Sequence, residues 1–265
     1  MPSLLKSAVA LFASAAGVHA AYLLFIRPQA ELALQQAAAQ GGAVARTFAV
    51  IVKDYEQEIC IVLMFWGIYL IAEKCYAIYR HRYLFNVELI ADADDDDARD
   101  DNAHDNAPTR AMQAALREFD GLRDAEARDS PLIKTLSAAA RRYVVTGDVQ
   151  NTSDAIVAGV EALAAQIEAG NSMIRYLIWA IPSIGFIGTV RGIGQALSQA
   201  DQALAGDISG MTESLGIAFN STLVALIISI LLMFLLHELQ RLQDRLVVDT
   251  QAYCEEFLLR RIERH

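Results

Sequence analysis

An all-α integral membrane protein, with four transmembrane helices and long helices extending into a cytoplasmic helical domain, is the fold class this sequence predicts. Two observations predict it. The 265-residue chain is 54% apolar with a mean hydropathy of +0.29, yet carries a formal charge of -10. Such values coexist when apolar residues are segregated into long runs. Four windows, about Leu4 to Ile26, Ile59 to Tyr79, Ile174 to Ala200 and Leu215 to Leu236, each approach the roughly 20 apolar residues that cross about 30 Å of hydrocarbon.

In the first window, Lys6, an apolar run and Val18-His19-Ala20 resemble a secretory signal with its cleavage site. The run continues through Tyr22-Leu23-Leu24-Phe25-Ile26, so an uncleaved anchor is expected, with residues 27–57 outside. Arg80, His81 and Arg82 after the second window, and Arg241 and Arg245 after the fourth, place those ends in the cytoplasm. The connection between the last two windows carries Asp201, Asp207 and Glu213 without Lys or Arg, as an external loop should. Both termini are then cytoplasmic.

Between the second and third spans, the run of aspartates from Asp92 through Asp105 repels itself and reads as a solvated linker; it lacks the Gly and terminal Glu of a calcium loop. Helix starts follow at Pro108-Thr109, Ser130-Pro131 and Asn151-Thr152-Ser153-Asp154. The third of these carries an apolar stripe of Ile156, Val157, Val160, Leu163 and Ile167. Beyond the fourth span, Leu239, Leu242, Leu246, Tyr253 and Phe257 keep an approximate heptad spacing, which extends the membrane helix into the cytoplasm and packs it there. The domains expected are a transmembrane pair with an external loop (1–79), a cytoplasmic acidic linker and helical region (80–172), a second helix pair (173–240) and a C-terminal cytoplasmic helix (241–265).

Covalent catalysis finds no residues here. There is no zinc-like Cys/His spacing, Walker loop or Gly-x-Ser-x-Gly elbow, so neither metal nor cofactor is expected. Cys60 and Cys75 lie roughly 22 Å apart on one helix and cannot bridge. Nothing points to nucleic acid.

The informative residues lie in the last two spans. At about 100° per residue, Pro182, Gly185, Thr189, Gly192 and Ala196 share one side of the third span, with Gly188 beside them; Ala218, Thr222, Ala225 and Ser229 align on the fourth. A rise of about 1.5 Å per residue puts Thr189 roughly 21 Å above Arg175 and Thr222 roughly 12 Å below Ser214, at similar depth. Small polar faces at one level suit either a close-packed helix seam or a water-accessible path. Arg191, about 200° around from Thr189, is read as paired with a neighbouring helix or reaching the outer interface. Snorkelling accounts for Glu73 and Lys74, and interfacial packing for His19 and His237.

Gly185-Phe186-Ile187-Gly188-Thr189-Val190-Arg191-Gly192-Ile193 resembles the Gly-x-x-Gly-Thr-Val-x-Gly-Ile signature of TolQ and ExbB. Gly216-Ile217-Ala218-Phe219-Asn220-Ser221-Thr222-Leu223-Val224-Ala225 resembles their next helix. The resemblance, over about residues 152–245, is to the MotA/TolQ/ExbB proton channel family; Arg191 departs from an apolar or aromatic position of the signature, and the four-span layout is more like MotA. It implies that Thr189 and Thr222 line a proton path flanked by Pro182, Gly185, Gly188, Gly192, Ala218, Ala225 and Ser229. It also implies a homo-oligomeric ring of five subunits in the bacterial inner membrane, around single-span partners of the MotB/TolR/ExbD type. Neither span has a carboxylate between Arg175 and Asp201 or between Glu213 and Glu238, and threonine does not titrate near neutral pH. The resemblance supplies the missing acid as an aspartate on the partner. A non-conducting membrane scaffold with the same fold is the alternative.

Overall fold

The computed structural model describes residues 2–40, 47–81, 107–121 and 130–256. Among them every regular element is helical: α1 (Pro2–Ala21), a π-helical turn (Tyr22–Ile26), α2 (Arg27–Gln40), α3 (Phe48–Ile51), α4 (Tyr55–His81), α5 (Ala107–Gly121), α6 (Pro131–Thr146), α7 (Val149–Gly170), α8 (Ser172–Ser198), α9 (Ala200–Leu204) and α10 (Ser209–Cys254). Among the described residues four stretches are long and apolar enough to cross a membrane: Leu4–Gln36, Tyr55–Arg80, Val149–Ser198 and Ser209–Cys254. The all-α membrane class is therefore the one observed. The acidic run, Arg82 and Phe257 lie outside the described residues.

Three boundaries differ from the sequence expectation. The first apolar stretch does not stop at Ile26: α2 continues from the π-helical turn as far as Gln40, so part of the region expected outside as a connection is helix. Ala, Leu, Glu and Gln dominate Arg27–Gln40, and all favour helix without being strongly apolar. The second span's helix begins at Tyr55 rather than Ile59, adding Glu56, Gln57 and Glu58 to its first turn. Helix α7 starts at Val149, two residues before the expected Asn151. The break lies at Gly147, which ends α6 with a left-handed φ of 63°, and the Asp148 carboxylate caps α7 by accepting from the Gln150 and Asn151 amides.

The chain divides into two compact units: residues Met1–Glu73 with Ser172–Glu238, and Lys74–Asn171 with Leu239–His265. In the first, Trp66 Nε1 on α4 donates to the Ser7 carbonyl of α1 at 3.1 Å. Gly67 leaves room for Leu232 of α10 and Leu177 of α8. Phe12, Phe25, Trp179, Phe186, Phe219 and Ile230 face outward, a distribution that water would penalise and a bilayer or neighbouring subunit accommodates.

The second unit has a conventional inward core. Ser130 caps α6 by accepting from the Ile133 amide at 3.3 Å, with Pro131 opening the helix. Met112 and Phe119 of α5, Leu132, Leu136 and Tyr143 of α6, and Ile156 and Val160 of α7 are buried together with Tyr253 and Cys254 of α10. Of the expected α7 stripe, Val157 turns outward at 42% exposure. On the C-terminal part of α10 the expected apolar spacing holds at Leu239 and Tyr253, but Gln243 and Thr250 are buried between them.

Gln243 is satisfied reciprocally. Its Oε1 accepts from Asn171 Nδ2 at 2.7 Å while its Nε2 donates to Asn171 Oδ1 at 3.3 Å. Gln243→Leu strands a buried amide and should cost about 1–3 kcal/mol, as should Asn171→Leu. The double variant should lose less than the two losses added together. Thermal unfolding of the four detergent-solubilised proteins measures this; strict additivity would show that the two amides do not act as a pair.

Candidate functional site

Helices α8 and α10 run antiparallel along a seam lined with the small residues picked out in the sequence. A Cβ on Gly185 would lie 2.5 Å from Ala225 Cβ, and one on Gly192 would lie 2.8 Å from Ala218 Cβ. One on Gly188 would lie 2.6 Å from Ser221 Cβ and 3.2 Å from Glu56 Cγ. Real side chains do not approach this closely, so hydrogen at these three α-carbons is what allows the backbones to meet.

That approach brings the two threonines together. Thr189 and Thr222 hydrogen-bond each other through their hydroxyls. Thr189 Oγ1 also lies 3.1 Å from the Ala218 carbonyl, and both hydroxyls lie 3.3 Å from the Gly185 carbonyl. Both residues are half-buried, so the pair sits at the margin of the seam rather than sealed inside it.

Pro182 and Ser229, placed on the same faces by helical spacing, are linked by backbone chemistry. Proline has no N–H to donate to the carbonyl four residues back. That carbonyl belongs to Ile178, and Ser229 Oγ donates to it at 2.9 Å across the seam. Cys60 Sγ approaches the Ile181 carbonyl at 3.7 Å from α4. Of the residues expected to share a face, Gly185, Gly188, Thr189, Gly192, Ala218, Thr222, Ala225 and Ser229 thus meet across one interface. Pro182 acts on it through the carbonyl it leaves free.

The first turn of α4 brings charge to the same level. Glu56 is buried, and both carboxylate oxygens engage Arg191: Nε to Oε1 at 2.7 Å and Nη2 to Oε2 at 2.8 Å. Gln57, fully buried, approaches Ser221 Oγ at 3.4 Å and accepts from the Asp54 amide at 3.0 Å. Glu58 accepts from Arg27 at 2.9 Å and bonds His19 Nδ1 at 2.6 Å. Three consecutive residues therefore grip α8, α10 and the N-terminal helical run. At the end of this group Lys53 pairs with Glu213 at 3.2 Å.

Sequence reasoning missed Glu56, Gln57, Glu58 and Ser221, having counted Glu56 and Gln57 with the external connection (27–57) and begun the second span at Ile59. The signal was Arg191, since a cation embedded in an apolar helix needs a carboxylate at its own depth. Among the described residues no group of three or more His, Cys, Asp or Glu is placed to hold a metal ion.

Two outcomes follow from this geometry. Gly185→Ala forces a backbone shift and should cost about 1–3 kcal/mol, whereas Gly194→Ala, with nothing within 4 Å of its added Cβ, should be tolerated. Adding Ala225→Gly to Gly185→Ala should recover most of the loss, and unfolding temperatures of the four proteins check it. The second outcome concerns pH. Burial, opposed mainly by Lys53, raises the Asp54 carboxyl above its ordinary range, and Oδ2 has no hydrogen-bond partner. An acid with a raised folded-state value is bound to its proton more tightly when folded. Its contribution is full below the ordinary carboxylate range and is lost as pH rises through the raised value. Asp54→Asn should remove that decline in stability, as measured by unfolding across a pH series.

The model of the MotA/TolQ/ExbB proton channel family matches residues 124–252, which take in α6 to α9 and most of α10. No curated protein and no solved structure matches the chain.

Proposed function

Because the chain belongs to the MotA/TolQ/ExbB proton channel family, we propose that it is the ring-forming, proton-conducting subunit of an ion-driven motor complex in the bacterial inner membrane. Proton flow past Thr189 and Thr222 would move a single-span partner of the MotB/TolR/ExbD type. The contact between the two threonine hydroxyls carries this reading. It sets two groups able to give and accept hydrogen bonds at one level of two apolar helices, on the half-buried margin of their seam.

Hydroxyls orient water and hold a carboxyl group but do not themselves exchange protons near neutral pH. The titrating group therefore comes from the partner, as an aspartate that loses its charge when protonated beside the threonines. Each proton crossing 100 mV releases about 2.3 kcal/mol, so several passing around a ring of five would supply a mechanical step. The cytoplasmic placement of both termini belongs to the same reading, supported by Arg80 and Arg241 at the inner ends of their spans.

A non-conducting scaffold is favoured by one observation: the same hydroxyls have carbonyl acceptors, at Ala218 and Gly185, without any water. The complex purified from its native membrane through a tag on this chain separates the two readings. Reconstituted in vesicles with a pH-sensitive dye and an imposed potential, the parent should take up protons, and Thr189→Val and Thr222→Val should each slow uptake by about ten-fold, as loss of ~1.4 kcal/mol requires. Unchanged uptake in both variants removes the pair from the path, and absence of uptake by the parent favours the scaffold. Intact mass should show a ring.

A further inference from the structure

We infer that Glu56 is the counter-charge that makes a cation path possible beside Arg191, a specificity-determining residue contributed by α4 rather than by either helix of the seam. The inference rests on the proton-conducting reading of the threonine pair.

Arg191 follows Thr189 by two residues on α8 and, left alone, would place a permanent positive charge roughly 10 Å from the threonine hydroxyls, the diameter of a helix whose residues two apart point to nearly opposite sides. At that distance and an effective dielectric of about 20, a unit charge changes the local occupancy of a cation by roughly ten-fold or more. Its sign would exclude protons and favour anions. Arginine does not lose its charge at physiological pH, so titration offers no escape.

The structure instead supplies a carboxylate in the guanidinium's own geometry, with two contacts of 2.7 and 2.8 Å made through Nε and Nη2. The side chain of Glu56 is 11% exposed and that of Arg191 39%, so the pair is only partly screened by solvent. Glu56 reaches this position because Gly188, the residue before Thr189, has no side chain to exclude its Cγ. Gln57 next to it bonds Ser221, the residue before Thr222. The carboxylate is thus located against the α8 turn that bears Thr189, its neighbour Gln57 against the α10 turn that bears Thr222, and both Glu56 oxygens are committed to the guanidinium. That arrangement suits a fixed compensating charge better than a group that must release and rebind protons.

The surrounding charges fit the same account. Glu58, two residues along α4, points to the other side and is matched by Arg27 and His19, while Lys53 is matched by Glu213. Among the described residues the Glu56 carboxylate is the one in contact with the Arg191 guanidinium, while Asp54 acts on it only at longer range, so removing Glu56 takes away that cation's contact counter-ion.

Proton uptake by the reconstituted native complex tests this with three variants. Glu56→Gln keeps the length and an oxygen acceptor for Arg191 but removes the charge, and should reduce uptake per assembled complex by roughly ten-fold. Arg191→Gln leaves the carboxylate uncompensated and should maintain or raise uptake, although it breaks the same pair. The double variant should return close to the parent rate. A merely structural pair predicts that both single variants lose uptake in step with their unfolding temperatures, so equal losses would overturn the inference, as would a double variant no better than Glu56→Gln alone. If Glu56→Gln assembles poorly, Arg191→Gln and the double variant decide the matter: uptake in Arg191→Gln well below that of the double variant contradicts a charge effect of the stated sign. A parent complex without uptake would instead refute the conducting reading itself, taking this inference with it.

Discussion

The close approach of α8 and α10 at Gly185, Gly188 and Gly192 is the constraint on which the rest of this membrane unit depends. With hydrogen in place of a side chain at those positions, the backbones come near enough for Thr189 and Thr222 to meet and for Ser229 to reach the Ile178 carbonyl. Apolar burial contributes little to such a contact, because lipid is as apolar as the helix surface it would cover. What holds the seam is dispersion between well-fitted backbones, together with hydroxyl bonds to carbonyls, one of which, that of Ile178, would otherwise remain unsatisfied in hydrocarbon. Pro182 makes the dependence concrete. It deprives Ile178 of its helical donor, and the replacement comes from the opposite helix, so a defect in one element is corrected only when the two are assembled.

A seam of this kind fixes two helices, and the first turn of α4 fixes the others to it. Its residues are adjacent in sequence and point in different directions because successive helical side chains are rotated by about 100°. Glu56 therefore faces α8, Gln57 faces α10 and Glu58 faces the N-terminal helical run. Acidic residues in a first turn are also favoured by the partial positive charge of a helix N-terminus. The burial of two carboxylates in a membrane protein is sustained here by matching each to an arginine from another element, Arg191 and Arg27 respectively. Removal of either partner would leave an uncompensated charge, whereas the intact pairs present no net charge to the apolar surroundings.

Much of the fold was legible because length and hydropathy alone identify membrane helices. Helical periodicity was sufficient to gather Gly185, Thr189 and Gly192 on one face and Ala218, Thr222 and Ala225 on another, since an unbroken helix preserves its phase. Rise per residue then set the two threonines at one depth. What remained hidden was pairing between distant elements. Nothing local in Asp54-Tyr55-Glu56-Gln57-Glu58 distinguishes a polar loop from a buried helix start, and only the position of Arg191 in space shows which it is. The continuation of α2 beyond Ile26 was hidden for a different reason: Arg27–Gln40 has helix-forming residues without a strong apolar face, so hydropathy fell while the helix did not end.

The second unit solves the opposite solvation problem, and its polar residues are used accordingly. Around Phe119, Leu136 and Ile156 the core excludes water by ordinary apolar burial, so a polar group placed inside must be fully satisfied or expensive. Asn171 and Gln243 meet that demand because two primary amides each offer a donor and an acceptor, and a reciprocal pair satisfies both at once. Apolar side chains at the same positions would pack without regard to a shift of one helix along another. The amides lose their bonds as soon as such a shift occurs. Their contribution is therefore registration more than attraction, holding the residue between α7 and α8 to one chosen level of α10.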